Sequence, residues 1–267
     1  MIRSALITVM TDAVLKAARG LQRDFGEVEQ LQVSRKGPGD FVTAADKRAE
    51  AVIREALRRA RPSFGLVMEE SGVEEGSDAE HRFHVDPLDG TMNFLHGLPH
   101  FSISVGLERA GQLVAGVVYD PVRDEMFVAE KGAGAFLNNK RCRVAARRSL
   151  AEALVGLDAI HPARAGAAEA GAFLKDVATL GARAAGVKRL GSAALDLAYV
   201  AAGRLDACAI RGLKSWDVAA GAVLVREAGG AASPIGAPED ASLIDAGSVV
   251  AGNETLHAEM REILARA

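Results

Sequence analysis

Apolar residues recur at intervals of three and four between Ile2 and about Leu21. Leu6, Val9, Met10, Ala13, Val14 and Ala17 would share one face of an amphipathic helix. Lys36-Gly37-Pro38-Gly39-Asp40 reads as a loop, because two glycines and a proline oppose a regular element. Thr43 or Asp46 then opens a second helix that buries Ala49, Val52, Ile53 and Leu57 and stops at Pro62. Phe64 to Met68 is a short apolar run ending in Glu69-Glu70-Ser71, and His84-Val85 runs into Asp86 in the same way. Phe101–Leu107, Val114–Tyr119 and Glu125–Ala129 read as strands joined by turns. Residues from about 165 to 182 predict an Ala-rich helix, Ala193–Val200 another, and Leu205–Ile210 a strand. Asp217 opens an apolar helix over Val218–Ala228, closed by Gly229-Gly230. A strand at Ser248–Ala251 and a helix from about Glu254 to Ala265 follow.

Strands alternate with helices, and hairpin-like strands fill the middle of the chain. That pattern predicts a mixed α/β protein of stacked sheets and helices. A length of 267 residues with 49% hydrophobic content fits one domain of two lobes over residues 1–267, with a seam near 145–165. No repeat or low-complexity linker interrupts it. The apolar stretch Ala5–Met10 is too short for a secretory signal, and no stretch approaches the roughly 20 apolar residues that span a bilayer. Cys142 and Cys208 lack metal-type spacing, which points to a reducing cytoplasm and away from zinc or disulfides. Lys and Arg total 32 against 35 Asp and Glu, a net charge of −3. This balance does not favour nucleic-acid or anionic-membrane binding. An acidic protein that handles an anionic substrate needs positive charge from elsewhere, and bound metal can supply it.

The placement of the acids therefore matters more than their number. Apolar runs end in carboxylates at Glu69-Glu70, Asp86 and Asp217, and ligands commonly bind where strands of open α/β sheets end. Taken singly, each acid has an ordinary explanation as a turn residue or, for Asp217, a helix N-cap. Asp86-Pro87-Leu88-Asp89-Gly90-Thr91-Met92-Asn93-Phe94 changes this. Two carboxylates three residues apart, on a loop stiffened by proline and glycine, can hold neighbouring hard cations such as Mg²⁺. The Leu88 carbonyl between them is a further oxygen donor. Gly90 and Thr91 begin a segment whose N–H groups can hold phosphate.

With these blocks in view, the chain resembles the inositol monophosphatase family of Mg²⁺-dependent, lithium-sensitive phosphatases. The resemblance rests on Asp40-Phe41-Val42-Thr43-Ala44-Ala45-Asp46, Glu69-Glu70-Ser71, the Asp86–Phe94 segment, Trp216-Asp217-Val218-Ala219-Ala220-Gly221, and Arg189–Gly203. It implies a layered αβαβα sandwich and a homodimer. It implies that Glu69, Asp86 and the Leu88 carbonyl hold one Mg²⁺, and that Asp86, Asp89 and Asp217 hold a second. Glu69 and Glu70 would help hold water and a third, weaker ion. Asp46, Glu69 and Thr91 would be catalytic, with Asp46 and Thr91 orienting the attacking water. Gly90 and Thr91 would cradle phosphate, and Lys188, Ser192 and Ala193 would lie on the leaving-group side.

The implied reaction is hydrolysis of inositol-1-phosphate or a similar polyol phosphate by an activated water, without a Ser or Cys nucleophile. One departure bears on the substrate. The resemblance places a sugar-contacting Glu seven residues before Asp217, where this chain has Ile210, which cannot accept a hydroxyl hydrogen bond. Arg211 beside it either pairs with an anionic group or lies at the surface. Histidinol phosphate, fructose-1,6-bisphosphate and 3′-phosphoadenosine 5′-phosphate thus remain substrate alternatives, as does a regulatory or RNA-linked role on the same scaffold. Trp216 is expected in the core, His81 and His84 as structural or exposed residues, and Lys36 as a loop-stabilising residue or one on the phosphate side.

Overall fold

The computed structural model describes residues 4–27, 33–37, 40–159 and 167–265. Helix α1 (Ala5–Phe25) starts at Ser4, whose hydroxyl caps the Ile7 N–H, and buries Met10, Val14 and Leu21. A hairpin of β1 (Val33–Gly37) and β2 (Asp40–Thr43) follows. The loop expected at 36–40 is therefore mostly strand; Pro38 and Gly39, and the Lys36 side chain, lie outside the described residues. Helix α2 (Ala44–Ala60) is opened by a capping box between Thr43 and Asp46. It buries Ala49, Ile53 and Leu57, but Val52 is 38% exposed, one position off the buried face.

The chain then builds a sheet from β3 (Gly65–Met68), β4 (Gly72–Glu74), β5 (His81–Asp89), β6 (Ser102–Arg109), β7 (Gln112–Asp120), β8 (Glu125–Glu130), β9 (Gly134–Leu137) and β10 (Lys140–Arg141). Short helix α3 (Thr91–Leu95) interrupts it after β5. The eight strands lie in the order β10-β9-β8-β7-β6-β5-β3-β4, antiparallel except for β3 beside β5. The second half contributes β11 (Leu154–Ala159), α4 (Ala167–Gly181), β12 (Gly186–Lys188), α5 (Ala193–Ala201), β13 (Ala207–Arg211), α6 (Ser215–Glu227), β14 (Ala231–Ser233), β15 (Ser248–Gly252) and α7 (Glu254–Ala265). Its five strands order as β12-β11-β13-β15-β14. The first sheet ends at Arg141 and the second begins at Leu154.

Strand alternation sorts the side chains into three cores. Phe83, Val85, Val105 and Val117 meet α1 and α2. Val118 and Phe127, on the other face of the first sheet, meet Leu195, Leu197, Val218 and Leu224 of α5 and α6, which also cover Cys208, Ile210 and Val249 of the second sheet. Val155, Ala209 and Val250 turn outward against Leu180 of α4 and Met260 of α7. The layers therefore run α1/α2, sheet, α5/α6, sheet, α4/α7, the expected αβαβα sandwich. Among the described residues, no helix is long and apolar enough to cross a membrane.

Two glycines set the spacing that matters most. A Cβ on Gly106 would stand 2.5 Å from the Ala219 Cβ, and one on Gly116 would stand 2.4 Å from the Ala220 carbonyl oxygen. Helix α6 thus lies almost in backbone contact with β6 and β7, a close approach that only glycine permits.

Candidate metal centre and active site

Asp86 and Asp89 are three residues apart on β5, so in a regular strand their side chains would point to opposite faces. The pairing with β6 slips here: Asp86 faces Ser104, but Asp89 faces Ser102. One extra residue is accommodated on β5, a bulge, at the position where Pro87 has no N–H to offer the ladder. Leu88 consequently joins the first core beside Val85, while Asp86 and Asp89 both turn toward α5 and α6. Asp86, Asp89 and Asp217 each place a carboxylate oxygen within 4.8 Å of the other two.

The fold grips each carboxylate separately. Asp86 Oδ1 accepts the Leu88 N–H at 2.9 Å. Asp89 Oδ2 accepts the Ser192 hydroxyl and, at 2.8 Å, the Ala194 N–H. These donors sit at the N-terminus of α5, where a negative charge is favoured. Asp217 Oδ2 accepts the Lys214 N–H at 2.6 Å. Helix α6 starts at Ser215, so Asp217 lies in its first turn and is not the residue before it.

Burial, followed by the charges of Glu69, Asp89 and Asp217, holds Asp86 well above the usual carboxylate range. Asp89 is pushed up to about 6, mainly by burial, against the lowering from Ser192 and the backbone N–H groups. Carboxylates that resist ionising together, with oxygen donors only, suit a divalent cation such as Mg²⁺. Glu69 lies close enough to hydrogen-bond Asp86. The Glu70 N–H donates to Glu50 at 2.7 Å, which fixes the turn after β3.

Asp46 and Thr91 meet although they are 45 residues apart: the Thr91 hydroxyl lies 3.3 Å from Asp46 Oδ1 and 3.1 Å from the Leu88 carbonyl oxygen. Thr43 donates its N–H at 2.8 Å and its hydroxyl to Asp46 Oδ2. Gly90 has φ +96°, and a Cβ there would stand 3.1 Å from the His100 carbonyl oxygen, so glycine is required on both counts. Asn93 ties the site's two halves together by donating to the carbonyls of His100 and Leu190 at 2.8 and 2.7 Å.

The residues expected on the leaving-group side are spread over β12, α5 and β13. Ala193 is half-buried at the start of α5, and Lys188 ends β12 exposed. The neighbouring Arg189 donates to Asp158 at 2.9 Å. Asp158 lies near enough to Asp89 to contribute to its raised pKa. Ile210 is 2% exposed and packed in the middle core. Arg211 makes a two-pronged pair with the buried Asp176 of α4, at 2.5 and 3.1 Å. Its anionic partner is thus internal. Trp216 is only half-buried, because it stands at the open end of α6; its carbonyl accepts the Ser104 hydroxyl at 3.2 Å. Sequence reading missed Ser192 and Ala194 as holders of Asp89, and the buried contact of His84 with Ser215 and Glu108.

The profile of the inositol monophosphatase family matches residues 3–267. The chain belongs to that family. It is 54% identical to the inositol-1-monophosphatase of Mesorhizobium japonicum, over 96% of this chain and 94% of that protein. It is 43% identical to the Nus factor SuhB of Pseudomonas aeruginosa, over 91% of each. Among solved structures, the extragenic suppressor protein SuhB of Bartonella henselae superimposes with a TM-score of 0.93 at 46% identity, covering 99% of this chain and 100% of that one. This member of the inositol monophosphatase family is thus an enzyme of the phosphatase class.

Proposed function

We propose that the chain is a Mg²⁺-dependent phosphomonoesterase that hydrolyses inositol-1-phosphate or a related small polyol phosphate. The observation that carries this reading is the convergence of Asp86, Asp89 and Asp217 beside the Asp46–Thr91 pair. Glu69, Asp86 and the Leu88 carbonyl would hold one cation, and Asp86, Asp89 and Asp217 a second. When bound, such ions supply positive charge against the phosphate and make a water acidic enough to attack at neutral pH. Asp46 and Thr91 orient that water: the Thr91 hydroxyl is already aligned by Asp46 and Leu88. Glu69 would share in the catalysis, and Glu69 and Glu70 would help hold water and a third, weaker ion. Gly90 and Thr91, through their N–H groups, and Lys188 and Ala193, on the far side, contact the substrate. The work of these residues is positioning and charge balance, as phosphoryl transfer requires.

Ile210 lies in the core and cannot accept a hydroxyl hydrogen bond, and the donors of Arg211 are engaged by Asp176, so neither is set up to bind a leaving-group hydroxyl. Substrate choice is therefore tested as a panel: inositol-1-phosphate, histidinol phosphate, fructose-1,6-bisphosphate and 3′-phosphoadenosine 5′-phosphate, read by phosphate release with Mg²⁺. Turnover of inositol-1-phosphate at least ten times slower than another member would overturn the substrate assignment. Asp86→Asn removes a carboxylate that both cations would share and is expected to reduce Mg²⁺-dependent hydrolysis by roughly a hundredfold or more. Undiminished turnover in that variant would overturn the metal assignment. The same reading includes inhibition by lithium, a cytoplasmic homodimer, and one phosphatase domain of two lobes over residues 1–267.

The SuhB names among the relatives favour a second role, regulatory and RNA-linked, on the same scaffold. Asp86→Asn separates the two: a regulatory function would survive it.

A further inference from the structure

His84 lies two residues before Asp86 on β5, and both face α5 and α6, since Phe83 and Val85 point into the opposite core. The imidazole is buried between three elements. Its Nδ1 is 2.9 Å from Ser215 Oγ, and its Nε2 is 3.1 Å from Glu108 Oε2 on β6. An ionised carboxylate only accepts, so the ring proton belongs on Nε2, donated to Glu108. Nδ1 is then left to accept the Ser215 hydroxyl.

Ser215 is the first residue of α6, two before Asp217. The next residue, Trp216, is held by the Ser104 hydroxyl of β6, and Ser104 pairs across the sheet with Asp86. Two successive residues of α6 are thus fastened to the two strands beside the acidic trio. Packing at Gly106 and Gly116 sets how close the helix lies to the sheet, and the directional hydrogen bonds at Ser215 and Trp216 fix its first turn as well. A misplacement of about 1 Å in a ligand-bearing element is enough to matter to a site of this kind.

We propose that His84 is a positioning residue for the divalent-metal site: clamped by Glu108, its ring holds the first turn of α6 through Ser215 and so sets the distance of Asp217 from Asp86 and Asp89. This rests on the metal reading given above. The test is calorimetric titration of Mg²⁺, and separately Mn²⁺, into the metal-free full-length protein without substrate, alongside its melting temperature. His84→Leu is expected to weaken metal binding about tenfold, the lower end of what loss of a supporting contact costs a metal site. His84→Gln can both accept from Ser215 and donate to Glu108, and is expected to restore binding to within about threefold of wild type. Ser215→Ala should weaken binding alone and add little on top of His84→Leu, because both break one contact. In turnover, the Mg²⁺ needed for half-activation should rise more than kcat falls.

A His84→Leu protein that melts lower but binds metal as tightly as wild type would overturn the positioning role and leave the proposed function standing. Additive effects of the two substitutions would overturn it as well. Absence of metal binding in the wild type would overturn both readings. Should His84→Leu fail to fold, His84→Gln and Ser215→Ala decide: near-wild-type affinity in the first with weakened affinity in the second supports the role, and equal affinity in all proteins refutes it.

Discussion

Asp196 is a buried acid without a partner among the described residues. It is fully buried on α5, and neither carboxylate oxygen has a hydrogen-bond partner. Burial, then the charges of Asp158 and Asp89, raise its pKa well above the ordinary value. The unfolded chain releases this proton near pH 4, whereas the folded protein retains it to higher pH. Stability is therefore lost as pH rises above about 4, by up to about 1.4 kcal/mol per pH unit, until the folded pKa is reached. Asp196→Asn keeps the shape and removes the ionisation. Urea denaturation should find this variant more stable than wild type at pH 8, with the difference shrinking toward pH 4. A difference that stays constant with pH would show that Asp196 is not held protonated. The acids proposed to carry the chemistry were legible as residues because Asp86-Pro87-Leu88-Asp89-Gly90 concentrates oxygen donors in one short block. Their supports were not: Ser192 reaches Asp89 across 103 residues, and Ser215 reaches His84 across 131. No local pattern marks a contact of that range.

At the scale of elements, α6 shows how a packing decision becomes a chemical one. Its buried face is almost entirely small or aliphatic, and Gly106 and Gly116 let its backbone rest on the first sheet. Gly106→Ala forces a methyl group to within 2.5 Å of the Ala219 Cβ and 2.9 Å of the Ala220 nitrogen, so the helix must move. The expected cost is about 1–3 kcal/mol by chemical denaturation, with a larger loss in Mg²⁺-dependent turnover because Asp217 moves with the helix. Gly20→Ala serves as the control, since nothing lies within 4 Å of its Cβ position in α1; it should stabilise by about 0.5–1 kcal/mol. Full activity in Gly106→Ala would mean that α6 placement does not govern the site. Elements with strong periodicity, such as α1, α2 and α7, were readable to within a few residues. The hairpin β1–β2 was not, because Gly37, Pro38 and Gly39 mask the strands on either side. Strand β11 was missed as well: its residues 155–158 are buried on both faces, so no polar alternation marks them, and an Ala-rich stretch follows. The slip in register at Asp86–Asp89 belongs to the same class, since a bulge is defined by its partner strand.

At the scale of the whole molecule, a net charge of −3 conceals an uneven distribution. Asp46, Glu69, Asp86, Asp89 and Asp217 come from the N-terminal helix layer, the first sheet and the middle helix layer, and the fold brings them to one cleft. Without cations, the fold must hold buried acids that oppose one another's ionisation; on the metal reading, that opposition would become binding energy. Divalent metal should therefore stabilise the entire protein by mass action, by about 2.7 kcal/mol at a hundred times its dissociation constant. For a chain of this size that is roughly a 5–10 °C rise in melting temperature. The expected result is a higher Tm in Mg²⁺ than in a chelator, which NaCl at equal ionic strength does not reproduce. Asp86→Asn should reverse the pattern: its metal-free form melts above metal-free wild type, because a buried group that resists ionisation is gone, and Mg²⁺ adds little to it. A variant that melts lower without metal, yet still gains the full Mg²⁺ increment, would place the cation elsewhere and detach the acidic cleft from the stability of the fold.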